Sequence, residues 1–334
     1  MKYLVTGAAG FIGMHTCLKL MEKNHKVIAL DNLNSYYDIN LKKARLNILK
    51  KNKKFKFYKI DITNKNKIKK IFKKFAPSHV IHLAAQPGVR YSIKNPDVYT
   101  KSNLLGFSNI LECCRNNRIK HLIFASSSSV YGGNLKFPFS EKDNVDHPIS
   151  YYAATKKSNE LMAHSYSCLF KIPITGLRFF TVYGPWGSPD MSLFLFTKAI
   201  KNNLPIKVFN KGNMYRDFTY IDDIVEAVYK ISKKIPKLKR KFKSKKMSLN
   251  NSFAPYKVFN IGGNKPLNLK SYISILEKIL KKKAKKIFLP IQAGDIKYTH
   301  ASLIELKKWI NFKPKTNLKH GIKLFVDWYN DFYK

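Results

Sequence analysis

Short apolar runs alternate with amphipathic stretches along the first half of the chain. Between the first two runs, Met14, Cys17, Leu18 and Met21 recur at helical spacing and share one face. Strands that alternate with helices predict a parallel sheet with right-handed crossovers, and runs as continuous as VIHLAA indicate strands covered on both faces. The predicted strands lie at residues 2–6, 26–30, 55–60, 79–84, 121–125 and 174–179.

The second half of the chain has a more broken pattern. Prolines recur from Pro185 onward, and residues 233–257 are polar and very basic, without clear periodicity. We interpret this basic segment as an exposed insertion between a helix and a strand. The elements predicted in this half are helices at 224–231, 268–282 and 321–333 and a strand at 258–261. The whole pattern predicts an α/β fold, a doubly wound parallel sheet with a smaller C-terminal domain built from several segments.

The composition fits a globular protein of about two domains that carries an unusual charge. The chain has 334 residues, of which 45% are hydrophobic, and a formal net charge of +43 from 63 Lys and Arg against 20 Asp and Glu. Most of the excess is scattered lysine, whereas arginine, whose planar fork suits bases and phosphates, is sparse. We therefore expect a lysine-rich solvated surface that attracts anionic substrates. Nucleic-acid binding should be weak, salt-sensitive and without a specific partner.

Three absences in the sequence narrow the class of protein further. No apolar stretch reaches the roughly 18 residues that cross a bilayer, so no membrane association is expected. The four cysteines form neither a CxxC pair nor a metal-ligand spacing, which argues against a disulfide scaffold and against a metal site. The N-terminus leads straight into an apolar strand without a cleavage site, and we expect a cytoplasmic protein.

A glycine-rich turn, GAAGFIG at residues 7–13, follows the first predicted strand and precedes a predicted helix. Glycine permits the tight turn and lets backbone N–H groups approach a pyrophosphate. Asp31 ends the second strand, where a carboxylate holds the adenosine ribose of a dinucleotide and repels the 2′-phosphate of NADP. The arrangement predicts NAD as the cofactor. Asp61 and Ile62 close the third strand, where they either meet the adenine or begin the next helix.

A second group of residues suggests acid–base chemistry on an alcohol. Tyr152 and Lys156 are four residues apart, which places both side chains on one face of a helix. The ammonium, together with the positive nicotinamide of bound NAD, is expected to lower the tyrosine pKa so that the phenolate acts as a base. A Tyr–Lys pair at this spacing also arises by chance on surfaces. The serine run 126–129 argues against chance, because its hydroxyls end a parallel strand where ligands bind.

These motifs resemble those of the extended short-chain dehydrogenase/reductase family, and specifically of its nucleotide-sugar epimerases. The resemblance extends over nearly the whole chain. The stretches NSYYDINLKKARL, AAQPGVR and APYKVFNIG favour the UDP-glucuronate 4-epimerases over the UDP-glucose 4-epimerases. The strings that carry the family resemblance are GAAGFIG, LDNLN, HLAAQPGVRYS, SSSSVYG, YAATK, LRFFTVYGPWGSPDM and YRDFTYIDDIVEA.

The resemblance implies a Rossmann-like fold, two domains and a role for many residues. Ser127, Tyr152 and Lys156 match the catalytic Ser or Thr, the base and the partner of the base. The NAD-binding domain would comprise residues 1–180 and about 212–263, and the UDP-sugar domain 181–211 and 264–334. Residues implied to bind NAD are Gly7, Gly10, Phe11, Ile12, Gly13, Asp31, Asn32, Asp61, Ile62, Leu83, Ala84, Ala85, Asn103, Tyr152 and Lys156. Residues implied to bind the UDP-sugar are Gln86, Arg90, Ser127, Ser128, Thr181, Phe209, Arg216 and Asp295.

Four of the substrate residues carry a more specific implication from the family. Thr181 would face the sugar, Arg216 would clamp the diphosphate, Phe209 would contact the uracil and Asp295 the ribose. The implied chemistry is a transient oxidation at carbon 4 of the sugar, most simply of UDP-glucuronate to UDP-galacturonate. Members of this family often dimerise through two helices that form a four-helix bundle, and the segments here are about 97–116 and 152–170.

Several alternatives stay open at this point. A 4-keto-uronate can lose CO₂, so a UDP-glucuronate decarboxylase is a close rival, and a UDP-glucose or UDP-N-acetylglucosamine 4-epimerase is another. The related 4,6-dehydratases carry an Asp–Glu pair where this chain has Ser128 and Ser129, which argues against dehydration. A lysine-rich NAD-binding or nucleic-acid-binding protein without activity would have no need for the Ser–Tyr–Lys set. The chain departs from its subgroup at Ser188, Ala293 and Ser302, where Arg, Pro and Asp are usual.

Overall fold

The computed structural model describes residues 1–239, 250 and 252–334. Its strands are β1 Lys2–Thr6, β2 Lys26–Asp31, β3 Phe55–Lys59, β4 His79–His82, β5 His121–Ser127, β6 Ile174–Phe179, β7 Thr181–Tyr183, β8 Ile206–Phe209, β9 Tyr215–Tyr220, β10 Tyr256–Ile261, β11 Pro266–Asn268 and β12 Lys286–Leu289. Its helices are α1 Phe11–Glu22, α2 Ile39–Lys50, α3 Lys65–Phe75, α4 Val89–Lys94, α5 Pro96–Tyr99, α6 Gly106–Asn116, α7 Tyr151–Phe170, α8 Ser192–Lys201, α9 Ile221–Lys233, α10 Leu269–Leu280, α11 Ile304–Ile310 and α12 Leu318–Phe332.

Seven of these strands form one parallel sheet in the spatial order β3-β2-β1-β4-β5-β6-β10. From β1 the chain adds β2 and β3 on one side. It then returns to the other side of β1, where it adds β4, β5, β6 and finally β10. The strand order therefore reverses between β1 and β4. In open parallel sheets, ligands bind outside the carboxyl ends of the strands at such a reversal. This is the edge at which the functional residues are expected.

Each face of the sheet has its own hydrophobic core. Tyr3 and Val5 of β1 point into one core, with Cys17 of α1 and Ile224 of α9, whereas Leu4 points into the other. The second core is completed by apolar residues of α3, α6 and α7. Because neighbouring strand residues alternate between two covered faces, the strands read as continuous apolar runs in the sequence. The structure thus confirms the predicted doubly wound α/β fold.

The predicted elements differ from the observed ones mainly at their ends. The first helix begins at Phe11 and the ninth at Ile221, and the late helices span Leu269–Leu280 and Leu318–Phe332. The segment predicted as one helix over about 97–116 contains a π-helical turn, Thr100–Leu105, between α5 and α6. The basic insertion predicted at 233–257 lies in part outside the described residues, which omit 240–249 and 251.

Two small sheets lie beyond the main one. β11, β9 and β7 form a three-stranded sheet, in which β11 is antiparallel to β9, and β12 pairs with β8 in parallel. They carry Thr181, Phe209 and Arg216, which the sequence assigns to substrate binding. The boundaries of the two domains stay a prediction. None of the helices in the described part of the chain is long and apolar enough to cross a membrane.

Candidate active site

The carboxyl ends of β1, β2, β4, β5 and β6 open into a cavity of about 470 Å³. It lies at the reversal of strand order, where the topology places a ligand site. Most of the residues predicted for the cofactor and substrate line this one cavity. They are Gly7, Gly10, Phe11, Ile12, Gly13, Asp31, Asn32, Ile62, Leu83, Ala84, Ala85, Gln86, Ser127, Ser128, Tyr152, Lys156, Thr181, Arg216 and Asp295.

The glycine turn forms a cradle that larger residues would fill. Gly7 has a φ of +71°, and a Cβ added there would lie 2.7 Å from the backbone nitrogen of Ala84. A Cβ on Gly13 would lie 2.0 Å from the carbonyl oxygen of Gly7. Gly10 precedes α1 and brings no capping side chain, so no side chain of that residue competes for the N–H groups at the helix start. The cradle therefore fits an anionic pyrophosphate, as in NAD.

The Asp31 carboxylate is fixed beside this cradle. It accepts hydrogen bonds from the backbone N–H groups of Ala9, at 3.0 Å, and Leu33, at 2.8 Å. Burial raises the pKa of Asp31, while these hydrogen bonds and the positive charges of Lys42 and Arg45 oppose the rise. The carboxylate is thus held in one orientation on the cavity wall, as a ribose ligand requires.

Asp61 supports the same region from outside the cavity wall. One of its carboxylate oxygens accepts a 2.8 Å hydrogen bond from the side-chain amide of Asn32, which does line the cavity. The other oxygen accepts from the backbone N–H and the hydroxyl of Thr63. The N-cap of α3 is Asn64, so Asp61 does not itself cap that helix. Its predicted contact with the adenine stays a prediction.

The three residues predicted to be catalytic lie together at the end of β5 and the start of α7. Ser127 ends β5, and its hydroxyl oxygen accepts from the backbone N–H of Ser129 at 3.2 Å. Tyr152 lies in the first turn of α7, whose N-cap Ser150 accepts from a backbone N–H within that turn. Lys156 follows one turn later and donates a 2.9 Å hydrogen bond to the carbonyl oxygen of Ala125. Capping and the β5 terminus thus position all three.

Burial dominates the ionisation of this cluster. It raises the pKa of Tyr152 to about 12, although a hydrogen bond with Ser127 lowers it, and the charge of Asp190 raises it further. Burial also lowers the pKa of Lys156 to about 8. The protein groups alone therefore do not lower the tyrosine pKa, and the expectation that the ammonium and the nicotinamide of bound NAD lower it together stays a prediction. The physical reason is that desolvation of the phenolate dominates, while the ammonium lies 6.0 Å from the ring centre.

The residues predicted to bind the substrate come from both halves of the chain. Arg216 of β9 forms a 2.8 Å ion pair with Asp295, and both line the cavity. The backbone N–H of Gln86 donates to the side-chain oxygen of Asn103 at 2.8 Å, and the amide of Asn103 donates back to the Gln86 carbonyl at 3.1 Å. Asn103 is buried and lies outside the cavity wall, so it supports Gln86 from behind.

Arg90 and Phe209 lie outside the cavity wall as a pair. The Arg90 guanidinium stacks over the Phe209 ring, 5.5 Å from its centre. Their predicted contact with the UDP-sugar, like that of Asn103 and Asp61 with NAD, is a hypothesis for mutagenesis. The pairing itself brings together residues 119 positions apart, one from α4 and one from β8.

The sequence analysis named Ser188 as a departure from the subgroup but did not assign Tyr36, Lys42 or Asp190 to the site. Tyr36 donates a 3.4 Å hydrogen bond to Asp190, and the hydroxyl of Ser188 donates to the other oxygen of the same carboxylate. All three line the cavity, as does Lys42. These residues lie in the strings NSYYDINLKKARL and GSPDM, whose spacing gives no sign that they come into contact.

Fold and site together define an enzyme that uses a dinucleotide for hydride chemistry on a bound alcohol. Comparison with known proteins gives its family: residues 3–262 match the NAD dependent epimerase/dehydratase family, and the chain belongs to it. The predictions of an NAD-dependent nucleotide-sugar 4-epimerase and of NAD as its cofactor are thereby confirmed.

Three similar proteins cover essentially the whole chain. Protein CapI of Staphylococcus aureus is 52% identical over 334 residues, which is 100% of both chains. The probable UDP-glucuronate 4-epimerase of Rhizobium meliloti (strain 1021) is 44% identical and is covered to 98%. Among solved structures, the UDP-glucuronic acid 4-epimerase of Bacillus cereus in complex with UDP-glucuronic acid and NAD has a TM-score of 0.89 at 34% identity, with 100% of both chains covered.

Proposed function

We propose that this enzyme interconverts UDP-glucuronate and UDP-galacturonate. The observation that carries the proposal is that Ser127, Tyr152 and Lys156 share one cavity with the glycine cradle, so a sugar beside the tyrosine also lies beside the cofactor. Support for the uronate comes from relatives named UDP-glucuronate 4-epimerase and from a solved relative that binds UDP-glucuronic acid and NAD. The serine-rich end of β5 offers hydroxyl donors to a carboxylate.

Each of Ser127, Tyr152 and Lys156 has its own role in the proposed proton transfer. Tyr152 takes the proton from the hydroxyl at carbon 4 of the sugar and later returns it. The Ser127 hydroxyl donates a hydrogen bond to the reacting oxygen. Lys156, whose pKa is about 8, stays mostly charged at neutral pH and favours the phenolate. NAD, when bound, accepts and returns the hydride, and its positive nicotinamide adds the charge that lowers the tyrosine pKa.

The chain holds NAD through residues of its first half. The cradle of Gly7, Gly10 and Gly13 would hold the pyrophosphate at the start of α1. Asp31 would hold the adenosine ribose and disfavour NADP. We assign these residues to the NAD-binding domain, residues 1–180 with about 212–263, and the remainder to the UDP-sugar domain.

The UDP-sugar would extend from this cavity across the smaller domain. Arg216 would meet the diphosphate, with Asp295 as its present counter-charge and as a ribose ligand. Arg90 and Phe209 would provide a flat cation–aromatic pair for the uracil. Ser128 and Thr181 would donate to the sugar or to its carboxylate. These assignments follow the family resemblance and the position of each residue.

We also propose a homodimer that forms through α7 and the segment that contains α5 and α6. Exposed apolar side chains on these elements support it: Val98, Leu105, Leu161 and Leu169 are between 37% and 66% exposed. A pair of helices with unpartnered apolar side chains suits a four-helix interface. Sedimentation velocity tests the proposal, with Leu161→Glu as the variant expected to give monomers.

The cytoplasmic location of the enzyme stays a prediction.

The test of the proposed reaction is a product assay with two substrates side by side. We expect the purified protein to convert UDP-glucuronate to UDP-galacturonate with a higher kcat/KM than it converts UDP-glucose to UDP-galactose. Resolving all products, including UDP-xylose, separates epimerisation from decarboxylation. UDP-xylose as the main product would identify a decarboxylase. Absence of any product, with no reduction of bound NAD by either sugar nucleotide, would favour a binding protein without activity.

A 4-epimerase for a neutral UDP-sugar is the second candidate. It is favoured by the sugar side of the cavity, where Ser188 replaces the arginine usual in the subgroup and Asp190 contributes a carboxylate. A negative group near the sugar repels the carboxylate of a uronate and so disfavours its binding. The same group accepts hydrogen bonds from the hydroxyls of a neutral sugar. Faster turnover of UDP-glucose or UDP-N-acetylglucosamine than of UDP-glucuronate would establish this alternative.

A further inference from the structure

Arg45 is a buried cation that the proposed chemistry does not use. It lies on α2, its side chain is fully buried, and it forms no ion pair with a carboxylate of any described residue. Its hydrogen-bond partners are neutral oxygens, and its Nε has no partner in the described part of the chain. Asp31 acts on this charge only through space, and no carboxylate of a described residue bonds to it directly. A buried charge without a directly bonded opposite charge is costly, so its retention calls for a physical reason.

The Arg45 guanidinium joins two loops that are remote in sequence. One of its nitrogens donates to the carbonyl of Ala9 in the glycine turn, at 2.9 Å, and to the Tyr37 hydroxyl, at 2.6 Å. The other donates to the carbonyls of Trp186, at 2.7 Å, and Gly187, at 3.2 Å. The planar fork thus spans the cofactor cradle and the connection between β7 and α8, residues 184–191, which we call the 184–191 loop.

The 184–191 loop is held in a conformation that needs such anchors. Trp186 has a φ of +62°, a left-handed conformation that is unfavourable for a bulky side chain and persists only when its surroundings fix it. Its indole packs against Trp328 and Phe332 of α12, at 5.1 and 5.0 Å between ring centres. On the other side, the His15 side chain hydrogen-bonds the Pro185 carbonyl at 3.0 Å.

The same loop carries residues that face the sugar side of the cavity. Ser188, Asp190 and Met191 line it directly after the anchored residues. A shift of the loop would therefore move Asp190 relative to Tyr36 and to the bound sugar. The glycine cradle and the sugar side of the cavity are thus connected through one side chain.

We propose that Arg45 is a positioning residue that couples NAD retention to the geometry of the sugar side of the cavity. Its charge also lies next to the cradle that the pyrophosphate would occupy, so bound NAD would add a negative charge to that of Asp31 near the buried cation. The cofactor part of the proposal requires only NAD binding; the sugar part rests on the proposed function. Loss of the guanidinium releases the buried carbonyls of Ala9, Trp186 and Gly187 from their donor, which loosens both loops together.

The experiment measures NAD dissociation from the holoenzyme without any sugar nucleotide, by trapping the released cofactor. Arg45→Met and Arg45→Lys are compared with Lys43→Met, which removes an exposed charge from the same helix. We expect dissociation to accelerate roughly tenfold to a hundredfold in Arg45→Met, because charge-assisted hydrogen bonds are lost. Arg45→Lys keeps the positive charge but not the planar guanidinium. Its rate of NAD dissociation should lie between those of the wild type and Arg45→Met. It also serves as the test variant if Arg45→Met does not fold.

A second readout follows the sugar side of the cavity. The KM for the preferred UDP-sugar should rise in both Arg45 variants. His15→Ala removes the hydrogen bond to the Pro185 carbonyl of the same loop but keeps Arg45. It should therefore raise that KM without the large acceleration of NAD dissociation expected for Arg45→Met. Arg45 variants that lose thermal stability but match Lys43→Met in NAD dissociation and KM would reduce Arg45 to a structural residue. If no UDP-sugar is turned over by the wild type, the proposed function fails, and NAD dissociation still decides the role of Arg45 in retaining the cofactor.

Discussion

The ammonium of Lys156 lies 6.0 Å from the centre of the Tyr152 ring, and its hydrogen bond goes to the Ala125 carbonyl rather than to the phenol. No hydrogen bond therefore joins the two side chains, and burial dominates the pKa of each. With the Tyr152 pKa at about 12, the protein groups alone leave the phenol protonated at neutral pH. In the proposed reaction, base catalysis by Tyr152 therefore requires the added positive charge of the cofactor.

Tyr152→Phe is expected to reduce kcat by roughly 10²–10⁴-fold, because it removes the group that exchanges the proton of the sugar hydroxyl. The phenyl ring keeps the packing of α7 against the cavity, so bound NAD and the melting temperature should stay near wild type. Steady-state epimerisation, NAD content and thermal denaturation of the same preparation check the three points. Near wild-type turnover in this variant would show that another group is the base.

Asp31→Ala is expected to raise the Kd of NAD roughly tenfold to a hundredfold, through loss of hydrogen bonds to a charged group. The backbone N–H groups of Ala9 and Leu33 lose their acceptor at the same time, so the cradle itself loosens. The relative affinity for NADP should increase. Asp31→Asn, which keeps an acceptor but not the charge, separates the two effects. Equal wild-type affinity for NAD and NADP, measured by calorimetry, would contradict a ribose-binding role.

The sheet could be predicted from sequence because each strand is a short apolar run followed by a helix with its own period. The residues at which the strands end could not be predicted in this way. Residues 83–84 continue the apolar run after His82 but leave the sheet to line the cavity, where the Ala84 N–H donates to the Thr6 hydroxyl. A buried strand and an apolar cavity wall have the same composition. Apolar periodicity therefore cannot locate the point where one becomes the other.

The residues proposed to be catalytic could be grouped from sequence because local rules connect them: four residues along a helix, and a hydroxyl at the end of a strand. The contacts of Arg45 with Trp186 and of Tyr36 with Asp190 have no such rule, since they join residues 141 and 154 positions apart. The effect of burial on the tyrosine pKa could not be predicted for a related reason. Spacing identifies the neighbouring charge, whereas burial, which dominates, depends on the whole fold.

Glu141→Gln is expected to stabilise the protein at pH 8 but not at pH 5. Glu141 is buried, one of its oxygens accepts from the Asn260 N–H at 2.8 Å, and burial raises its pKa to about 7 from an ordinary value of 4.5. Below pH 4.5 the carboxyl is protonated in both the folded and the unfolded state. Between pH 4.5 and 7 the folded state retains a proton that the unfolded state loses, so stability falls as pH rises, by up to about 3 kcal/mol.

Thermal denaturation at both pH values measures this effect. The melting temperature of Glu141→Gln minus that of the wild type should increase from pH 5 to pH 8. Glu22→Gln is the matched control, because its side chain is 58% exposed and should give no such increase. A difference that is constant with pH would show that Glu141 is not buried in its charged form.

Ser188→Arg tests which sugar the cavity prefers. The Ser188 hydroxyl donates to Asp190, so this part of the cavity has one neutral donor beside a negative carboxylate. An arginine there would neutralise Asp190 and offer bidentate hydrogen bonds to the carboxylate of UDP-glucuronate. One added charge-assisted hydrogen bond corresponds to roughly a tenfold gain. The kcat/KM for UDP-glucuronate relative to UDP-glucose should rise by about that factor.

Ser188→Gln is the control for this change, because it adds length and hydrogen-bond donors without the charge, and it should raise the ratio much less. The wild type should still prefer UDP-glucuronate, since hydroxyl donors at Ser127, Ser128 and Thr181 face the same cavity. Specificity constants for both sugars in all three proteins decide the matter. A wild-type preference for UDP-glucose would overturn the uronate assignment and leave the neutral-sugar 4-epimerase. An unchanged ratio in Ser188→Arg would show that position 188 does not approach the substrate carboxylate, because an arginine in contact with it must alter the discrimination.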